Sequence, residues 1–199
     1  MEDPKTNSIL DEAHRLFLTG KLREAITYYD EILNENPQHV SSLNNKGYAL
    51  SKLKDFENAI KCYDVALESS PDDLSLLVNK ISSFRKQKKF VDALSICNSI
   101  LDNIPKYNIA LYHKERILFS MKNYNESIEC CNCILDDYPD NADVLFDKSC
   151  NFVMLSQSKV ALDLLERAIS QGIKYKIKAK KSKTFEKLSD DARFKKLIL

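Results

Sequence analysis

Chemistry in a protein starts from thiols, imidazoles and carboxylates held close together, and this chain offers few such groups. Its three histidines stand apart at His14, His39 and His113, and its six cysteines are Cys62, Cys97, Cys130, Cys131, Cys133 and Cys150. The densest set is Cys130-Cys131-Asn132-Cys133. On a helix successive side chains diverge by about 100°, so Cys130 and Cys131 do not grip one ion together, whereas Cys130 and Cys133, three apart, share a face. Structural zinc takes four ligands, and two thiols fall short of that. The favoured reading is that these are buried or incidental thiols packing as small hydrophobes. The even count does not argue for disulfides either. The opening Met1-Glu-Asp-Pro-Lys has no apolar core and is not read as a signal peptide, so reduced thiols are expected. No Ser/His/Asp or Cys/His set falls into one plausible pocket, and no glycine-rich loop is present to cradle phosphate. We therefore assign no catalytic residue, no metal site and no cofactor. Asn125-Glu-Ser127 fits a glycosylation acceptor, but inside a helix of a chain expected in the cytoplasm it is incidental.

What the sequence does offer is a period. Pro37, Pro71, Pro105 and Pro139 are spaced by 34 residues. A fixed period in the range of about 20–50 residues marks a stacked repeat array. Aligned on the prolines, five copies run over 6–39, 40–73, 74–107, 108–141 and 142–173. The fourth position holds Ile9, Leu43, Leu77, Leu111 and Leu145, and the eleventh Leu16, Leu50, Phe84, Leu118 and Phe152. That gap of two helical turns puts both on one face of a first helix. The twentieth position is small (Ala25, Ala59, Ala93, Ser127, Ala161), as close helix–helix approach requires. The twenty-fourth (Tyr29, Tyr63, Cys97, Cys131, Leu165) and twenty-eighth (Leu33, Leu67, Leu101, Leu135, Ile169) extend the apolar stripe of a second helix. Short polar joints separate the stripes, from Gly20-Lys21 to Ser156-Gln157, and the proline stops the second helix. Each copy is thus an antiparallel helix pair that buries its faces only by stacking on neighbours.

This pattern resembles the tetratricopeptide repeat, most of all in NNKGYALSKLKDFENAIKCYDVALESSP, where Gly47 takes the eighth position. The resemblance spans about residues 6–173. Departures are Ile81, Glu115 and Ser149 at the eighth position, and Ile173 where a proline would close the fifth copy. The resemblance implies an all-α, right-handed superhelical solenoid of five two-helix repeats with a C-terminal helical cap. It also implies a non-catalytic scaffold or adaptor that holds a peptide segment of a partner in the groove lined by the first helices. The groove positions of the family correspond here to Asn44, Asn45, Tyr48 and Lys52, to Val78, Asn79, Ser82, Arg85 and Lys86, to Ile109, Tyr112, His113, Arg116 and Phe119, and in the fifth copy to Asp143, Phe146, Asp147, Cys150 and Val153. Side-chain amides can bond an extended peptide backbone, and Arg85, Lys86 and Arg116 can hold carboxylates. An acidic group near the third and fourth copies is therefore expected on the partner. The clamp that grips chaperone C-termini is not expected, because Leu10 and His14 stand where it needs Lys and Asn.

Net charge is +1 but unevenly placed: residues 174–199 carry +7 and residues 1–173 carry −6. The segment 174–199 is read as basic capping helices over the exposed end of the array, with Ser189 as an N-cap ahead of Asp190 and Asp191. The alternative is an accessory protein that meets nucleic acid or an anionic surface through these lysines, although only Tyr175 and Phe185 supply the interleaved aromatics that single strands stack on. Self-association through the terminal repeats, at Leu10, Phe17 and Leu18, is a further expectation. No apolar run approaches the roughly 18–20 residues of a membrane span, so the chain is placed in the cytoplasm. Residues 1–6 are expected to fray.

Overall fold

A chain read as paired helices has to turn tightly between the two members of each pair, and the turns show how this one does it. The computed structural model describes residues 4–199. Its helices are α1 Pro4–Leu18 and α2 Leu22–Glu35, α3 Val40–Lys52 and α4 Phe56–Ser69, α5 Leu74–Lys86 and α6 Phe90–Asn103, α7 Asn108–Ser120 and α8 Tyr124–Asp137, and α9 Ala142–Met154 and α10 Ser158–Ser170. Then follow α11 Ile173–Lys181, a 3-10 segment Lys183–Leu188 and α12 Ala192–Ile198. No strand occurs among the described residues, and the expected all-α fold of helix pairs is the fold found. Of the segment expected to fray, residues 1–3 lie outside the described residues, while Pro4 to Thr6 already belong to α1. A proline is tolerated there because the first amide of a helix has no partner to lose.

Each first helix ends on a left-handed residue: Gly20 (φ 80°), Lys54 (67°), Lys88 (61°), Lys122 (67°) and Ser156 (61°), again 34 apart. The amide of the next residue reaches back to the helix, as in Asp55 N to Leu50 O at 2.9 Å and Lys89 N to Phe84 O at 3.0 Å. This double-bonded C-terminal cap satisfies carbonyls that would otherwise be orphaned. Four of the five left-handed positions carry a side chain, at a steric cost that glycine would avoid. The start of the first helices is capped as well: His39, Asp73 and Asn141 accept amides of the first turn, all two residues after a repeat proline.

The chain divides into two units, Met1–Ile96 and Cys97–Leu199, with the division inside α6. In the first unit, Ala13, Leu16, Ala25 and Tyr29 form a core between α1 and α2. Leu43, Ala59, Cys62, Tyr63, Ala66 and Leu76 form another between α3, α4 and α5. Gly47 makes the second possible. A Cβ there would stand 2.6 Å from Cε1 and 2.8 Å from Cζ of Tyr63, so the ring lies directly on the α3 backbone. Phe17 and Leu10 pack on the first core and Phe17 meets the Tyr48 ring at 5.5 Å, which leaves Leu18 as the exposed member of the expected N-terminal self-association surface.

In the second unit serines occupy the close approaches. Ser127 Oγ donates to Glu115 O (3.0 Å) across α7 and α8, and Ser149 Oγ donates to Ala161 O (2.7 Å) across α9 and α10. Each hydroxyl is thereby satisfied where water is excluded. The C-terminal segment joins the core of α9 and α10 through Tyr175, Ala179, Phe185, Leu188 and Phe194, with Phe185 and Phe194 stacked at 5.7 Å. One detail differs from the sequence reading. Ser189 is still in the helical turn ending the 3-10 segment, and the cap of α12 is Asp191, whose carboxylate accepts Phe194 N at 2.9 Å. The helix begins two residues later than expected, so Ser189 is out of reach of its first amides.

All six cysteines are free thiols, and Cys133 alone is exposed. Burial pushes Cys97 up to about 12 and Cys130 up to about 11, and it raises Cys62, Cys131 and Cys150 as well. A thiol whose pKa is raised holds less thiolate at any pH below that value, and thiolate is the form that reacts. Two outcomes are expected. Alkylation of the native protein at pH 8 should modify Cys133 and leave the other five until denaturant is added, as read by peptide mass mapping. Replacing Lys54, Lys88 or Lys122 by Gly should each raise stability by about 0.5–1 kcal/mol in denaturant unfolding, while Gly20→Ala should lower it by a similar amount.

Candidate functional site

The first helices carry the residues that could meet a partner. On α3, Asn44, Tyr48 and Lys52 follow one another every four residues, and on α5, Asn79, Ser82 and Lys86 keep a three–four spacing, so each set forms one stripe. Both helices pack on α4, and they also touch each other. Between the stripes lies a cleft of about 120 Å³ lined by Tyr48, Ser51, Lys52, Tyr63, Asn79, Ser82 and Lys86. The amides at its edge are already engaged laterally. Asn45 Nδ2 is 2.8 Å from His14 Nε2, and Asn79 Nδ2 donates to Asn44 Oδ1 at 2.9 Å. These bonds fix the amides rather than leaving them all for a ligand.

The cations of the cleft are different. Lys52 Nζ lies 5.1 Å from the centroid of the Tyr48 ring, and Lys86 Nζ lies 5.7 Å from that of Phe56. Ring faces attract ammonium groups and hold them in place without neutralising them. Among the described residues neither lysine has a carboxylate partner. By contrast Lys46 pairs with Asp30 and Lys80 with Asp64. Arg85 is half-buried on α5 and is not among the residues lining the cleft.

The second unit places its predicted residues in a closed network. Arg116 donates from Nε (3.1 Å) and Nη2 (2.8 Å) to Asp147 Oδ2, and Nη2 also bonds the Tyr112 hydroxyl. The other Asp147 oxygen lies 3.6 Å from Lys178 Nζ on α11. Burial disfavours the guanidinium charge, but the Asp147 carboxylate beside it more than compensates and holds the Arg116 pKa above its usual value. Burial pushes Tyr112 up to about 12, partly offset by Arg116. Arg116 is therefore committed within the protein, and a carboxylate from outside would have to displace Asp147. His113 is half-buried one residue along α7 from Tyr112. In the fifth copy Phe146, Cys150 and Val153 are buried rather than presented, because the C-terminal segment packs on that face.

Sequence reasoning missed two features here. Tyr63 sits at the core-facing twenty-fourth position, yet it lines the cleft. A second depression of about 360 Å³, lined by Asn108, Ile109, Tyr112, Ile134, Tyr138 and Asn141, opens in the second unit. Ile109 (47% exposed) stands at a groove position of the fourth copy, whereas the exposure of Tyr138 (55%) was not signalled by spacing. Among the described residues no three His, Cys, Asp or Glu side chains gather as a metal would require, and no helix is long and apolar enough to cross a membrane.

Comparison with known proteins gives the same fold. Three solved structures superpose over most of the chain. MamA 41-end from Desulfovibrio magneticus RS-1 matches with a TM-score of 0.77 at 19% identity, over 85% of this chain and 96% of that one. A tetratricopeptide repeat protein from Parabacteroides merdae ATCC 43184 matches with a TM-score of 0.84 at 16% identity, over 98% and 78%. YrrB, described as a TPR protein with an unusual peptide-binding site, matches with a TM-score of 0.66 at 16% identity, over 81% and 84%. No curated protein matches the sequence. The family model described as "Tetratricopeptide repeat protein 21 N-terminal ARM repeat" matches residues 2–128. With more than half its length so matched, the chain belongs to that family and is a tetratricopeptide repeat protein.

Proposed function

We propose that this protein is a non-catalytic cytoplasmic scaffold that holds a peptide segment of a partner against its first helices, and that the partner segment is acidic. The observation that carries this reading is the cleft between α3 and α5, where Lys52 and Lys86 are held on ring faces with no carboxylate to answer them. Tyr48, 40% exposed beside Lys52, adds a flat apolar surface with a polar tip. The lateral bonds of Asn45 and Asn79 hold this surface before a ligand arrives, and such preorganisation lowers the cost of binding. The fold shared with YrrB, described as having an unusual peptide-binding site, is in keeping with it.

The acidic group was expected near Arg85, Lys86 and Arg116. With Arg116 committed to Asp147, the counter-charges we assign to it are Lys52 and Lys86. The competing reading rests on the basic C-terminal segment. There Lys174 and Lys178 face Asp143 and Asp147, and Arg193 pairs with Asp163 and Glu166. These pairs support a cap that compensates the acidic body, and the apolar packing of Phe185 and Phe194 supports it too.

Selection from a random peptide display library tests the proposal. Peptides rich in Asp and Glu should be enriched. A Tyr48→Ala, Lys86→Gln protein should lose about tenfold or more in affinity for them with its helical signal intact. Selected peptides that bind this variant as well as the wild type would contradict the proposal. So would binding that disappears only when Lys180, Lys181 and Lys183 are neutralised and that falls steeply with salt.

A further inference from the structure

The cleft between α3 and α5 has an unusual inventory of hydrogen-bonding groups: donors predominate. Its wall includes Tyr63, a residue with no exposed surface, whose buried hydroxyl lies near the Ser83 hydroxyl without a well-formed hydrogen bond to it. Ser83 Oγ donates to Asn79 O at 3.1 Å and lies 3.3 Å from Ser51 Oγ, so the Ser51 and Ser83 hydroxyls share one hydrogen bond. Asn79 gives one amide proton to Asn44 and keeps the second. The Ser82 side chain makes no hydrogen bond among the described residues. Two ammonium groups, of Lys52 and Lys86, stand at the same cleft, and no carboxylate lines it.

A buried polar group without a partner is costly, and a native fold that keeps one calls for an explanation. A ligand that only accepts hydrogen bonds supplies it here. The volume, about 120 Å³, is several times what one water needs. Two fixed ammonium groups match a charge near −2 rather than −1. A phosphoryl group at neutral pH carries about −1.5 to −2 and three acceptor oxygens, while a carboxylate carries −1 and two. The charge and the number of donors both favour the phosphoryl group.

We propose that this cleft is a phosphoryl-binding site, taking a phosphorylated side chain of the partner peptide. The identity of the peptide rests on the scaffold reading above; the anion site does not. The lysines at the ends of α3 and α5 also complement the helix dipoles, but that role explains neither the Tyr63 hydroxyl nor the absence of any acidic wall.

The test uses inorganic phosphate on the full chain, followed by amide and side-chain NMR shifts. Saturable shifts should concentrate at Ser51, Lys52, Ser82 and Lys86, and acetate should need about tenfold more to produce them. Lys52→Gln with Lys86→Gln should abolish saturation. Tyr63→Phe keeps the ring packing and removes only the hydroxyl, so it should weaken phosphate by about threefold to tenfold while leaving the protein at least as stable. Shifts scattered over other lysines, equal affinity for acetate, or a Tyr63→Phe protein that titrates like the wild type would each overturn the assignment. Phosphate binding without any peptide binding would remove the scaffold reading and leave this one standing. Peptide binding without phosphate binding would do the reverse.

Discussion

Close approach between the two helices of a pair is the constraint on which the rest of this structure depends. The five small residues at the twentieth position are all fully buried. Where the approach is closest, the partner surface is backbone: Tyr63 lies on Gly47, and Ser149 bonds the carbonyl of Ala161. Two helices that meet backbone to side chain have little freedom to slide, since packed interiors do not tolerate even a methylene of misfit. The left-handed turn residues serve the same end. They reverse the chain in so few residues that the second helix must lie directly on the first.

This constraint also builds the cleft. With only a hydrogen at position 47, the Tyr63 ring passes through the level of the α3 backbone, and the residue comes to line the space between α3 and α5. A residue that fills the core of one helix pair thus also borders the space beneath the first-helix surface, with its hydroxyl still buried. The two units then use their surfaces differently. At the corresponding first-helix positions the first leaves Lys52 and Lys86 without a counter-charge, while the second commits Arg116, with Asp147 shared between Arg116 and Lys178. That shared carboxylate ties α7, α9 and α11 together.

Much of the fold was legible because a 34-residue period repeats its evidence five times. Leu, Ala and Pro positions that mean little alone mean a great deal in register, and the helix bounds follow them to within a residue or two except at α1, which starts three residues before the expected Asn7. The Lys54, Lys88 and Lys122 turns were visible as polar joints, but nothing in a lysine announces a left-handed backbone. The site was less legible. The spacing of Asn44, Tyr48 and Lys52 identified a surface, yet pairing depends on residues distant in sequence. Arg116 reads as available until Asp147 is placed beside it from 31 residues away. Tyr63 reads as core and is core, and what periodicity does not show is that its ring, lying on Gly47, also borders the space between α3 and α5. Phe146 and Cys150 read as surface because the sequence shows no boundary between a repeat face and the segment that covers it.

The contact between Tyr63 and Gly47 offers the most direct measurement on the whole account. Gly47→Ala is made in the wild type and again in a Tyr63→Leu background, and both pairs are unfolded in denaturant. If close packing of the pair organises the structure, the alanine costs about 1–3 kcal/mol in the wild type and clearly less once the ring is gone. An alanine tolerated at no cost, or one equally damaging with and without the ring, would contradict it.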